Sequence, residues 1–264
     1  MNLYYEDKGD GVPILLVPPA GATASTWGSL TEELARIERV ITYDRRGYAR
    51  TGGAPVHSVA THTADAAALL DHLHASPAVV VGTSAGGSIA IDLAIRRPDL
   101  VAAVVSHEAA WRAARHVPTA AQVATFAKIG WFALIGRHSD AAETLLRFAY
   151  SYPDGATAWD WFPEEWRQIA RENAKAALAD FRNSIGNYPT AADLATITAP
   201  VVCSYGARSV DGIVPLTQAL AAAIPTARLH RIEGAGHAAP FDSTATFVEL
   251  IEEMISPQRA ADAK

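Results

Sequence analysis

Cysteine is almost missing from this chain. The single residue Cys203 excludes an intrachain disulfide. It lies in Val201-Val202-Cys203-Ser204-Tyr205, a strand-like run where a thiol serves as packing, so no catalytic cysteine is expected. Basic blocks are missing too. With 22 Lys and Arg against 28 Asp and Glu the formal charge is −6, which leaves no electrostatic footprint for nucleic acid or an anionic membrane surface. No apolar run is long enough to span a bilayer. Residues 1–10 alternate polar and apolar positions without a basic region followed by an apolar stretch, so a signal peptide is not expected and a cytoplasmic location is the default. Cys, His and carboxylates nowhere cluster at metal-ligand spacing, and no glycine-rich loop carries a nucleotide signature. Neither metal nor cofactor is therefore expected, and the charge balance fits a small, fairly neutral partner, expected to be hydrophobic from the aromatics described below.

What is present points to one large core. Half of the 264 residues are apolar and 19% are charged, an ordinary globular composition. Short β-branched runs at 12–17, 40–43, 78–81, 101–106, 201–205 and 228–232 predict strands, several apolar on both faces as buried parallel strands are. Between them, 27–36, 60–74, 87–97, 216–224 and 244–255 carry apolar residues at helical spacing. The alternation predicts a doubly wound, mostly parallel α/β sheet. It breaks at 111–194, where helix-compatible, alanine-rich sequence dominates. The expected organisation is a core of 1–110 and 195–256, a helical cap inserted at 111–194, and a flexible polar tail at 257–264.

Five of the six tryptophans, Trp111, Trp131, Trp159, Trp161 and Trp166, fall in that insertion with Phe126, Phe132, Phe148, Phe162, Tyr150, Tyr152 and Tyr188. Such a cluster supplies apolar area either for a binding wall or for welding the insertion to the body. A homodimer built through the insertion is an open alternative to a monomer.

The chemistry is carried by Gly82-Thr83-Ser84-Ala85-Gly86, which follows a predicted strand and opens a predicted helix, the context of a Gly-x-Ser-x-Gly nucleophile elbow. A serine on so tight a turn needs small neighbours two positions either side, and Gly82 and Gly86 provide them. At the helix start the Ala85 amide points where negative charge would develop, which makes it the first oxyanion donor. A serine hydroxyl also needs a base. Of nine histidines, His237 stands in Gly234-Ala235-Gly236-His237, a loop after the predicted strand 228–232 and on the carboxyl edge of the sheet. His57, His62, His72, His74, His116 and His138 fall in polar loops or on helix faces and read as solvated.

Strand, elbow serine, inserted cap and late Gly-x-Gly-His loop together resemble the α/β-hydrolase superfamily over residues 3 to 255. The resemblance implies a second oxyanion donor in the loop after an early strand. Here Pro18-Pro19-Ala20-Gly21 replaces the family's His-Gly pair, and registering on Trp27 puts the Ala20 amide in the donor position. Tyr43-Asp44-Arg45-Arg46-Gly47-Tyr48 resembles the superfamily's Asp-x-Arg-Gly-x-Gly loop and reads as structural support. The family also supplies an acid between serine and histidine to orient the base. Its commonest position, after the strand 201–205, is filled by Ser209. Two candidates follow: Asp211, two residues on in an Asp-Gly turn, and Glu108, one strand after the serine in His107-Glu108. Haloalkane dehalogenases and zearalenone-type lactone hydrolases place a glutamate at the latter point, and the His-Glu pair resembles the second group. Triad logic favours Glu108, whose bland alternative is pairing with Arg112 or Arg115.

A serine at the elbow argues against the dehalogenases and typical epoxide hydrolases, which use a carboxylate there. The resemblance therefore implies hydrolysis of a carboxylic ester or lactone through an acyl-enzyme on Ser84. A carbon–carbon bond hydrolase, a cofactor-free perhydrolase, or a small-molecule receptor on the same scaffold are the alternatives.

Overall fold

The computed structural model describes residues 2–109, 117–183 and 189–262. Trp111, Arg112, Arg115, His116 and Tyr188 lie outside the described residues.

Seven strands form one sheet: β1 (Tyr5–Lys8), β2 (Pro13–Val17), β3 (Arg39–Tyr43), β4 (Ala78–Thr83), β5 (Val101–His107), β6 (Val201–Gly206) and β7 (Ala227–Ile232). Their order is β1-β3-β2-β4-β5-β6-β7, with β1 antiparallel to β3 and every other pairing parallel. The six expected strands are all present. The edge strand β1 was not expected: Tyr5-Glu6-Asp7-Lys8 is too short and polar to stand out, and forms because β3 offers it a partner.

The helices are α1 (Gly28–Leu34), α2 (Val59–His72), α3 (Ala85–Arg96), α4 (Ala120–Leu134), α5 (His138–Ala149), α6 (Glu164–Glu172), α7 (Ala174–Asn183), α8 (Ala191–Leu194), α9 (Ile213–Ala223), α10 (Ala239–Asp242) and α11 (Thr244–Asp262). Alternate residues of the central strands feed opposite layers, as the twofold period of a strand requires. Leu15, Val17 and Val80 pack with Leu69 and Leu70 of α2, Ile89 of α3 and Leu220 of α9. Ile14, Leu16, Val79 and Val81 pack with Leu30 and Leu34 of α1 and Phe247 and Ile251 of α11. Helices on both faces make the sheet doubly wound. Helices α4 to α8 intervene between β5 and β6, and no helix among the described residues is long and apolar enough to cross a membrane.

The expected flexible tail is corrected in part: α11 continues to Asp262, past Pro257. Side chains beyond the proline explain it. Gln258 Nε2 donates to the Ala102 carbonyl at 3.2 Å, and Arg259 Nε meets the buried Glu38 carboxylate at 2.6 Å.

In chain order the sheet grows from β2 outward to β3, then crosses to β4 on the other side. That reversal opens a crevice at the carboxyl ends of β2 and β4, the place where ligands bind in open α/β sheets. The loop containing Ala20 and the turn containing Ser84 both lie there.

Candidate active site

Ser84 joins β4 to α3 with φ 54° and ψ −119°, a region that L-residues rarely occupy, at a cost of about 1–3 kcal/mol. The surroundings hold it there. Its amide donates to the His107 carbonyl at 2.8 Å, and both glycines of the motif are at contact distance with backbone. A Cβ on Gly82 would lie 2.2 Å from the Gly86 carbonyl oxygen, and one on Gly86 would lie 2.1 Å from that of Val17. The Ala85 amide opens α3, where the first turn leaves its N–H groups unpaired.

The strand β5 ends at His107, and Glu108 follows at φ 49° with its amide donating to the Ser204 carbonyl at 2.9 Å. This bend aims the carboxylate at His237. Glu108 Oε2 lies 2.6 Å from His237 Nδ1, and both residues are buried. Glu108 Oε1 accepts from the Gly206 amide at 2.8 Å and from the Ser209 hydroxyl. Burial alone would push this carboxyl up; the His107 and His237 imidazoles and the Ser209 hydroxyl outweigh it and hold it well below the usual carboxylate range. An ionised acceptor on Nδ1 fixes the proton there and leaves Nε2 as the basic nitrogen. Asp211 is exposed, and its backbone carbonyl accepts from Gln122 Nε2 at 2.8 Å. Of the two acids the sequence offered, Glu108 is the one brought to His237. Ser209, where the aspartate was missing, supports that glutamate.

His107 is wholly buried behind this pair. Nδ1 meets Ser204 Oγ at 3.0 Å and Nε2 meets the Gly236 carbonyl at 3.2 Å, so the ring braces the loop that carries His237. Desolvation lowers its pKa to about 4, which keeps it neutral.

The Ala20 loop is held from behind. Arg45 Nη2 donates to the Pro19 carbonyl at 3.0 Å and to Asp180 Oδ2 at 2.6 Å, while Asp44 accepts from the Ala24 amide at 2.8 Å and from Arg50 Nε at 2.7 Å. The Pro19 carbonyl and the Ala20 amide belong to one planar trans peptide, so anchoring the oxygen directs the N–H the opposite way. The Asp44-Arg45-Arg46 loop thus gives the structural support read from its sequence.

Ser84, His237, Glu108, Ala20 and Ala85 line one cavity of about 230 Å³. No hydrogen bond joins Ser84 Oγ to His237 among the described residues; such contacts are commonly long without a ligand. Of the aromatics in 111–194, Phe126, Phe148, Tyr150 and Phe181 line the cavity, and the Tyr150 ring packs 5.2 Å from that of His237. The described tryptophans do not. Trp166 and Phe162 pack on Phe241 of the body, with Trp159 beside Phe162, which is the welding role. Trp131 and Trp161 are exposed.

One prediction is overturned. His62 was read as solvated, but it is buried on the cavity wall, with Nε2 3.5 Å from Asp180 Oδ1. A signal was available in its spacing: His62 stands four residues before Ala66 and eight before Leu70, on the buried stripe of α2. Asp180 was not singled out at all. Among the described residues no group of three His, Cys, Asp or Glu could hold a metal ion.

Known proteins agree with this architecture. Residues 14–250 match the model of the "Alpha/beta hydrolase family". The uncharacterized hydrolase YraK of Bacillus subtilis (strain 168) is 39% identical over 110 residues, so the match spans about two-fifths of each chain (40% of this one, 41% of YraK). Est816, an N-acyl homoserine lactone degrading enzyme, superposes with a TM-score of 0.76 at 25% identity, covering 95% of this chain and 96% of its own. The enol-lactonase from Burkholderia xenovorans LB400 superposes with a TM-score of 0.74 at 22% identity over 96% of both chains. With a family model matched across most of its length, the chain belongs to the alpha/beta hydrolase family.

Proposed function

We propose that this protein cleaves a hydrophobic carboxylic ester or lactone through an acyl-enzyme on Ser84. The observation that carries the reading is the buried Glu108–His237 contact of 2.6 Å on the same apolar cavity as a serine held at φ 54°. His237 Nε2 takes the Ser84 proton as Oγ attacks the carbonyl, and the Ala20 and Ala85 amides receive the oxyanion. The imidazolium then returns the proton to the leaving oxygen. Water, deprotonated by the same nitrogen, opens the acyl-enzyme and frees Ser84. Glu108 stays ionised throughout and stabilises the imidazolium. Helices α4, α5 and α7 act as a cap that closes the apolar side of the cavity, and the lactone-degrading activity named for Est816 is compatible with it.

The test is a fluorophosphonate probe with mass spectrometry, beside hydrolysis of aryl esters, aliphatic esters and macrocyclic lactones. Labelling of Ser84 and loss of both labelling and turnover in Ser84→Ala is the expected result. Activity that persists without Ser84, or a native protein that binds apolar ligands yet never labels, sinks the reading.

A further inference from the structure

Besides the Ser84 nucleophile, the polar side chains that line the cavity are nearly all occupied. Glu108 and His237 hold each other, Asp180 accepts from Arg45 and from the Tyr48 hydroxyl, and Ser88 Oγ donates to the Ser84 carbonyl at 3.5 Å. His62, its ring nitrogens without accessible surface, lies against Asp180 at 3.5 Å. Tyr150 is the exception. Its hydroxyl makes no hydrogen bond among the described residues and is not one of the sealed, unpaired atoms, so on a residue only 5% exposed it keeps surface open to the cavity. A nearly buried phenol is rarely left without a partner.

The ring that carries this hydroxyl is fixed. Tyr150 caps α5, its amide donating to the Leu146 carbonyl and its own carbonyl accepting from the Ala158 amide, both at 2.9 Å. The ring stands edge-on to Phe162 at 4.9 Å and packs 5.2 Å from the His237 imidazole. Glu108 occupies Nδ1 of that imidazole, so Nε2 is the nitrogen that works on the substrate, and after the attack it serves the leaving oxygen. The carbonyl oxygen already has the Ala20 and Ala85 amides. The leaving oxygen has no donor except the imidazole, and the open hydroxyl is held against that same imidazole. Burial, and after it the Glu108 charge, push the Tyr150 hydroxyl well above the ordinary phenol range, so at neutral pH it stays protonated and donates.

Resting on the function proposed above, we infer that Tyr150 is a further catalytic residue, whose hydroxyl donates a hydrogen bond to the leaving oxygen of the ester or lactone as the carbon–oxygen bond breaks. The proton that is transferred comes from His237 Nε2, and Tyr150 keeps its own. Such a bond gains most where the leaving oxygen is most basic. Alkyl esters and lactones, which release an alcohol oxygen, depend on Tyr150 more than aryl esters, whose phenolate leaves with little help.

The experiment varies the leaving group at a constant acyl group. The quantity measured is kcat/KM, which reports acylation alone, for 4-nitrophenyl, phenyl and ethyl hexanoate with wild type and Tyr150→Phe. The ethyl ester should lose about tenfold and the 4-nitrophenyl ester about twofold, with the phenyl ester between them. Because the hydroxyl has no protein partner, the urea midpoint of the variant should match that of wild type, and its Ser84 should still take the fluorophosphonate label, whose fluoride leaves without a proton. An equal loss on all three esters, as a purely structural role would give, or an ethyl ester cleaved as fast as before overturns the inference. The two readings fail separately: a wild-type Ser84 that never labels sinks the acyl-enzyme itself, whereas a labelled enzyme with a flat leaving-group response sinks only the role of Tyr150.

Discussion

Two buried carboxylates face one cavity and each has a histidine beside it, yet only one pair is in close hydrogen-bond contact. Glu108 receives hydrogen bonds from a backbone amide, a serine and His237, all neutral donors, and its charge is left to act on the imidazole at 2.6 Å. Asp180 gives its charge to Arg45 at 2.6 Å, and His62 stands 3.5 Å off. What a carboxylate can do for a histidine depends on what else has claimed it. A guanidinium nearby converts an orienting acid into a neutral piece of wall.

The comparison can be broken most severely at the tight pair. Glu108→Gln preserves shape but removes the charge, and kcat for ester hydrolysis should fall on the order of a thousandfold to ten-thousandfold, with Asp211→Asn unaffected. Steady-state kinetics on both folded variants decides it. At the other pair the same logic affects stability. Arg45→Met would strand a buried charge on Asp180 and should cost about 3–5 kcal/mol in denaturant unfolding, part of which Asp180→Asn in the same chain should restore.

A smaller effect sits behind the tight pair. His107 has a folded-state pKa of about 4, below its ordinary value. Between roughly pH 6.5 and 4 the unfolded chain therefore binds a proton that the native one does not. Stability should fall as pH drops through that window, and His107→Gln should flatten the slope measured by urea titration at several pH values. The smallest change is Ser209→Ala. It removes one of the hydrogen bonds to Glu108 and leaves the His237 contact, so catalysis should weaken by about 1 kcal/mol, less than tenfold in kcat.

Much of the tight pair was legible in the sequence, and little of the loose one. Gly82 and Gly86 flank Ser84 because backbone atoms occupy the space a side chain would need, and such a constraint writes itself locally. Glu108 was legible as a carboxylate at a strand end, while the choice over Asp211 needed the bend at φ 49° that no local pattern announces. The His62–Asp180 pair joins α2 to α7 across more than a hundred residues, and each member looks like an ordinary polar side chain on its own helix. Only the partner reveals it. The strand β1 escaped for the same reason, since its order is borrowed from β3.

Pro18 and Pro19 looked like a departure from the family's loop. Peptide groups turn over when their flanking dihedrals are free and their oxygen can find a new donor. Here proline rings restrict the backbone on the carbonyl side, and a charged nitrogen already fixed by Asp180 grips the oxygen. The Ala20 amide cannot rotate away without releasing both restraints, so its direction is set when the chain folds and needs no ligand to set it.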